Sequence, residues 1–161
     1  MRKLFVAIFT ICCLAGIATP VQAVAGQSGD AQLKAMIPVM VPIPGKNYEM
    51  GKYEVTQAEW RSVMGNNPSK FANCGDTCPV EKVSWDDVQD YLEKLNAITG
   101  KQFRLPTEAE WEYACYGGIE SKFCGGSWIN YARDAGVHYR IRFVKSIRNG
   151  SGGFRLARTI P

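Results

Sequence analysis

Apolar residues recur along the chain in short punctuated groups, and the punctuation predicts most of the elements. Met36 to Ile43 is apolar but carries Pro38 and Pro42, with Pro44 just beyond, which predicts an edge strand because proline cannot donate to a central ladder. Tyr48 to Val55 alternates and predicts a second strand. Thr56-Gln57-Ala58-Glu59 has the spacing of a capping box, and predicts a helix running through Trp60 and Val63 to Met64, where Gly65 stops it. Asn66 to Pro79, rich in Asn, Pro, Gly and Ser, reads as loop. Ser84-Trp85-Asp86-Asp87 caps a second helix, with Val88, Tyr91, Leu92 and Leu95 at i, i+3, i+4 and i+7 and Gly100 at its end. Phe103 to Leu105 is a short strand, and Thr107 opens a third helix reaching about Cys115. After Gly117-Gly118 no helical period remains, only glycine-punctuated β-like segments ending in Gly153-Phe154-Arg155-Leu156-Ala157. The fold class is α+β.

The N-terminus reads differently. Arg2 and Lys3, the apolar run Leu4 to Ile17 and the small-residue site Val21-Gln22-Ala23 make residues 1–23 a signal peptide. A membrane anchor needs about 20 apolar residues, and Thr19-Pro20 interrupts the run first. Leu14-Ala15-Gly16 is followed by Ile17 rather than Cys, so lipidation is not expected. Val24 to Ala35 follows as a flexible leader, and residues 36–161 form one domain. The expectation is export, to periplasm, cell surface or medium, with no membrane span in the mature chain and an oxidising compartment.

With 46% hydrophobic and 21% charged residues the chain can bury a core and is not a disordered one. Losing Arg2 and Lys3 with the signal lowers the net charge from +4 to about +2, which implies no partner by itself. From Gly125 onward, however, Arg133, Arg140, Arg142, Lys145, Arg148, Arg155 and Arg158 face a single acid, Asp134. An exported chain has little access to nucleic acid. Arginines spaced among glycines are better read as holding a strand-and-loop region together by bonding backbone carbonyls.

Glu54-Val55-Thr56 with Trp60, Asn67-Pro68-Ser69, Cys78-Pro79-Val80-Glu81 with Val83-Ser84-Trp85, Arg104-Leu105-Pro106-Thr107-Glu108-Ala109-Glu110-Trp111-Glu112-Tyr113-Ala114, Gly125-Gly126-Ser127-Trp128 and Gly153-Phe154-Arg155 stand in this order. Together they resemble the formylglycine-generating enzyme family, or sulfatase-modifying factor domain, from Met40 to Arg158. The resemblance implies a C-type-lectin-like fold with few helices, a twisted antiparallel sheet and much irregular loop.

Two departures bear on function. Members of that family usually carry a Gly-Asn-Val-Trp-Glu-Trp motif contributing to calcium sites, whereas here Ala114 to Gly118 runs almost directly into Gly125. The family's oxidases bind copper through two cysteines shortly after the Gly-Gly-Ser segment, because copper(I) takes soft thiolate ligands. Trp128 to Phe154 contains no cysteine, and Asn130 and Ala135 stand where the pair would be expected. Neither calcium nor copper is therefore expected, and no catalytic residue is assigned. The single histidine, His138, lacks a Cys or Ser partner in suitable order, and Ser127 does not sit in a nucleophile elbow.

The last segment resembles a display region. Gly125 to Trp128, Ala132, Arg140, Arg142, Arg148 and Gly153 to Arg155 look like the framework of the variable proteins of diversity-generating retroelements, which belong to this domain family. Lys145 and Gly136 depart from that framework, where Pro and Arg are usual. Between the fixed residues such proteins vary by mutation at adenines, producing NNC codons that exclude Lys, Glu, Gln, Met and Trp. Ile129, Asn130, Tyr131, Asp134, His138, Tyr139, Ile141, Phe143, Val144, Ser146, Ile147 and Asn149 to Gly152 all obey the exclusion, as an ordinary β-rich terminus would also tend to do. The ligand-binding candidates are Ile129, Tyr131, Asp134, His138, Tyr139, Ile141, Phe143, Val144 and Ile147, facing a protein or glycan outside the cytoplasm.

Four cysteines remain after the signal. Cys74-x3-Cys78 and Cys115-x8-Cys124 allow zinc or two disulfides, and zinc ribbons prefer Cys-x2-Cys knuckles while an oxidising compartment favours disulfides. Cys74–Cys78 and Cys115–Cys124 are the expected pairs, with no metal. The reading is thus an exported, non-catalytic ligand-binding module. The alternatives are an oxidase acting on a polypeptide cysteine and a shortened remnant without function.

Overall fold

A computed structural model of the chain describes residues 33–116 and 144–160. Four short strands, β1 (Met40–Pro42), β2 (Tyr48–Gly51), β3 (Phe103–Arg104) and β4 (Ala157–Thr159), form an antiparallel sheet in the order β1-β2-β4-β3. Met40 pairs with Gly51, Tyr48 with Thr159 and Phe103 with Arg158. The chain's end is thus inserted between two strands laid down much earlier. β1 is the edge that its prolines demand, and all of β2 is buried.

Among the described residues three helices longer than one turn pack beside the sheet: α1 (Gln57–Met64), α2 (Trp85–Thr99) and α3 (Glu108–Tyr116). Each starts with a reciprocal cap. The Glu59 amide donates to Thr56 Oγ1 at 3.2 Å while Glu59 Oε2 accepts from the Thr56 amide at 2.7 Å. Ser84 with Asp87 and Thr107 with Glu110 repeat this geometry, so donors that helix ends otherwise leave orphaned are satisfied. Gly65 and Gly100 end α1 and α2 in the left-handed conformation, φ 77° and 66°, which favours glycine.

The stripe of α2, Val88, Tyr91, Leu92 and Leu95, is buried as its spacing predicts, against Val55, Trp60, Val80, Phe103 and Leu156. At about 1.5 to 3 kcal/mol for each large apolar side chain fully buried, this face is a principal source of stability. Trp60 stacks on Tyr91 with centroids 5.1 Å apart, and Phe154 stands edge-on to both. A second cluster of Ile43, Tyr48, Met50 and Ala114 fills the other part of the interior.

The structure departs from the sequence expectations in three places. Residues 33–36 are helical, so the leader expected to run to Ala35 ends in an ordered turn and the strand expected from Met36 starts only at Met40. The strand expected to Val55 stops at Gly51 because the Val55 amide bonds the Phe154 carbonyl, at 2.9 Å, outside the sheet. Of the basic residues of the last segment, Arg148 pairs with Asp87 and Arg158 with Glu49, carboxylates rather than the expected backbone carbonyls, while Arg133, Arg140 and Arg142 lie outside the described residues.

Candidate functional site

Residues 144–153 cross the start of α2 as an irregular loop. Its backbone is tied down at intervals. The Trp85 amide donates to the Lys145 carbonyl and the Lys82 amide to the Asn149 carbonyl, both at 2.9 Å, and the Ile147 amide closes a turn on Val144 at 3.1 Å. Asn149 Oδ1 accepts from the Ser151 amide and hydroxyl, shaping the next turn. Arg148 reaches α2 and grips Asp87, and the Phe154 ring enters the core. The guanidinium holds the Asp87 carboxyl well below the usual carboxylate range, at about 2, with the cap hydrogen bonds of Ser84 adding to the effect.

On this pinned backbone Val144 and Ile147 are left outside, 65% and 44% exposed. Beside them the Trp85 indole is 44% exposed with the Lys145 ammonium 4.3 Å from its ring centroid. A cleft of about 340 Å³ runs between them, floored by Val88, Leu105 and Phe154. Of the expected binding residues, the structure brings Val144 and Ile147 together there. Ile129, Tyr131, Asp134, His138, Tyr139, Ile141 and Phe143 lie outside the described residues. The sequence marks Trp85 as the first residue of a helix and as part of the Val83-Ser84-Trp85 motif, and not as a binding residue. The Ser84-Trp85 step in a surface cap was the available signal.

Cys74 and Cys78 form a disulfide, with Cα atoms 6.0 Å apart. Cys115 is also disulfide-bonded, so it is not linked to Cys74, and Cys124, its expected partner, lies outside the described residues. No free thiolate remains among the described residues, and Asn130 and Ala135, where the copper-binding pair would stand, lie outside them. Among the same residues no group of three His, Cys, Asp or Glu side chains converges as a metal site.

A family model, the sulfatase-modifying factor enzyme 1-like domain, matches residues 26–123. The chain belongs to this family. The match ends just before Gly125, where the glycine-rich segment begins. The chaperone protein LppX of Paenibacillus barcinonensis is 36% identical over 109 residues, covering 47% of this chain and 38% of that protein. The formylglycine-generating enzyme of Mus musculus is 39% identical over 85 residues, covering 53% of this chain and 20% of that enzyme. The chain therefore spans well under half the length of these relatives. Among solved structures, Treponema denticola variable protein 1 shares the fold with a TM-score of 0.62, at 19% identity, over 76% of this chain and 92% of that one. Among the described residues no helix is long and apolar enough to cross a membrane.

Proposed function

We propose that this family member is an exported, non-catalytic ligand-binding module whose binding face lies in residues 129–152. The observation that carries the reading is the division of labour in residues 144–154. Arg148 and Phe154 are spent on holding the loop to α2 and the core, while Val144 and Ile147 are held outward on a fixed backbone beside Trp85. Rigid, preorganised apolar anchors are what recognition surfaces use, because little entropy is lost when they are covered. The finer reading is that the face is one diversified by a retroelement, which the shared fold with a variable protein supports. The ligand is then a protein or glycan met outside the cytoplasm.

The test has three arms. The neighbouring DNA should hold a reverse transcriptase gene and an adenine-rich near-copy of the codons for 125–155; its absence removes the finer reading. Intact mass of the exported protein should show a chain starting at Val24, or at Gly26. Incubation with a sulfatase-type peptide and copper should give no formylglycine above the no-enzyme control, because Trp128 to Phe154 offers no thiolate. Product formation would favour the oxidase reading instead.

A further inference from the structure

A second cleft, of about 610 Å³, adjoins the first through Gly153 but is lined by neither Val144, Ile147 nor Trp85. One wall is built by Phe71, Pro79 and the Cys74–Cys78 disulfide, and Gly150, Ser151 and Gly153 also line it. Two carboxylates, Glu54 and Glu81, belong to its lining.

Glu81 is only 7% exposed. Its Oε1 accepts from the Phe71 amide at 2.8 Å, but its Oε2 is buried with no hydrogen-bond partner. That oxygen stands on the side of Gly150, 3.3 Å from where a Cβ on that glycine would be. A carboxylate oxygen removed from water without a partner is costly, and such a group in a native fold calls for an unseen ion, water or ligand. Glu54 is pressed against Gly153, where a Cβ would come within 2.5 Å of its Oε1. Burial pushes the Glu54 carboxyl up, with Arg155 only partly offsetting it. Gln57, also in the lining, is committed elsewhere: its amide nitrogen donates to the Phe71 and Pro79 carbonyls and its oxygen accepts from Asn67. Lys82 Cε, the carbon bearing its ammonium, and Lys70 Cδ lie 3.6 and 3.9 Å from the same Cβ position. Neither pairs with Glu54 or Glu81, and the Lys70 ammonium lies 5.3 Å from the Phe71 centroid instead.

The cleft therefore combines the unpartnered Glu81 oxygen and the Glu54 carboxyl with aromatic, proline and disulfide surface, with Arg155 acting on Glu54 and the Lys70 and Lys82 side chains beside Gly150 as the nearby cations. A metal ion would leave the apolar wall unused, and an anion would have to approach a carboxylate oxygen that already lacks a donor. We propose that this cleft binds an alkylammonium group, with Glu54 and Glu81 taking the charge and Phe71, Pro79 and the disulfide covering the alkyl stem. Its volume lies in the range of small-ligand pockets. The ammonium comes either from a lysine side chain of a polypeptide or from a free diamine.

Amide NMR of the exported protein tests this, with Nα-acetyl-lysine amide and cadaverine as probes and pentanol as the neutral control. Saturable shifts at Phe71, Gly150, Ser151 and Gly153 are expected with the amines and not with the alcohol. Tighter binding of the lysine amide assigns a polypeptide source, and tighter binding of cadaverine a free diamine. Glu54→Gln and Glu81→Gln should each weaken binding about tenfold, the scale of one charged hydrogen bond. Val144→Ala and Ile147→Ala should leave it unchanged, which separates this site from the cleft at Val144, Ile147 and Trp85. The proposal is overturned if the amines give no saturable shifts, if pentanol or sodium or calcium chloride reproduces them, or if the Gln variants bind as the parent does. Should Glu81→Gln fail to fold, Glu54→Gln decides.

Discussion

Arg148 donates from Nε to Asp87 Oδ2 at 2.8 Å and from Nη2 to Asp87 Oδ1 at 2.6 Å, and the same Oδ2 accepts from the Ser84 amide and hydroxyl. The carboxylate that caps α2 is therefore also the anchor of a loop sixty-one residues later. Arg104 does the same to Glu110, the cap acid of α3, with two bonds of 2.7 Å. Two of the three helix starts are thus tied by arginine forks to distant or neighbouring chain, and bidentate geometry fixes orientation as well as distance.

The two roles of Asp87 separate by mutation. Asp87→Ala removes cap and anchor together and should cost about 1 to 2 kcal/mol, the scale of a lost helix cap. Arg148→Ala keeps the cap, so its melting temperature should fall less, while limited proteolysis within 144–153 should speed up. Equal losses of stability in the two variants would show that the fork, not the cap, holds the energy.

Acid should expose both forks. Asp87 and Glu110 have folded-state pKa values pulled down to about 2, first of all by the arginine hydrogen bonds. A depressed carboxyl contributes stability that is complete above its unfolded value of about 4 and is lost as pH falls through its folded value. Stability should therefore drop between about pH 4 and 2. Glu54 works in the opposite sense, since burial raises its pKa, so its contribution is present at low pH and lost as pH rises through the folded value. Urea midpoints against pH, compared with Asp87→Asn, check this: the variant should show a shallower acid loss.

The helices were legible because their signals are local. Thr56 with Glu59, Ser84 with Asp87 and Thr107 with Glu110 each lie three residues apart, and the α2 stripe repeats within its own turns. Strand ends were not, because they depend on what arrives from far away: Val55 leaves the sheet for Phe154, ninety-nine residues on. The same reason hid Trp85. Its amide bond to Lys145 and its place in the 340 Å³ cleft depend on residues 144–154 folding back over α2. Carboxylate partners for Arg148 and Arg158 were likewise invisible to a reading that knew only their glycine-rich neighbours.

The cysteines give a chemical check. Peptide mapping without reduction should recover the Cys74–Cys78 link and a Cys115–Cys124 link. Replacing both Cys74 and Cys78 by Ala should cost about 2 kcal/mol by the loop-entropy model. A fragment joining Cys74 to Cys115 would refute the pairing, since both would then have the wrong partner.

The outward face and the core beneath it should answer differently to the same truncation. Val144, Ile147 and Trp85 are exposed, whereas Phe154 meets Trp60 and Tyr91 edge-on, with centroids 6.2 and 5.8 Å away. Removing side chain that water already reaches leaves no cavity, so Val144→Ala and Ile147→Ala should hold the melting temperature within a few degrees. Phe154, partly buried against the core, leaves a hole beside Trp60 and Tyr91 when cut to Ala, which should cost up to about 3 kcal/mol, the low end for a phenylalanine in a core. Trp85→Ala stands between the two, losing the Lys145 contact and part of the cleft wall while the helix cap survives. Against a ligand selected from exported proteins or surface glycans, the order should reverse. Val144→Ala, Ile147→Ala and Trp85→Ala should each weaken binding by about 1 to 2 kcal/mol, as anchors at the centre of a patch do. If Val144→Ala and Ile147→Ala instead unfold the protein as Phe154→Ala does, these side chains serve the core, and recognition must be sought on another face.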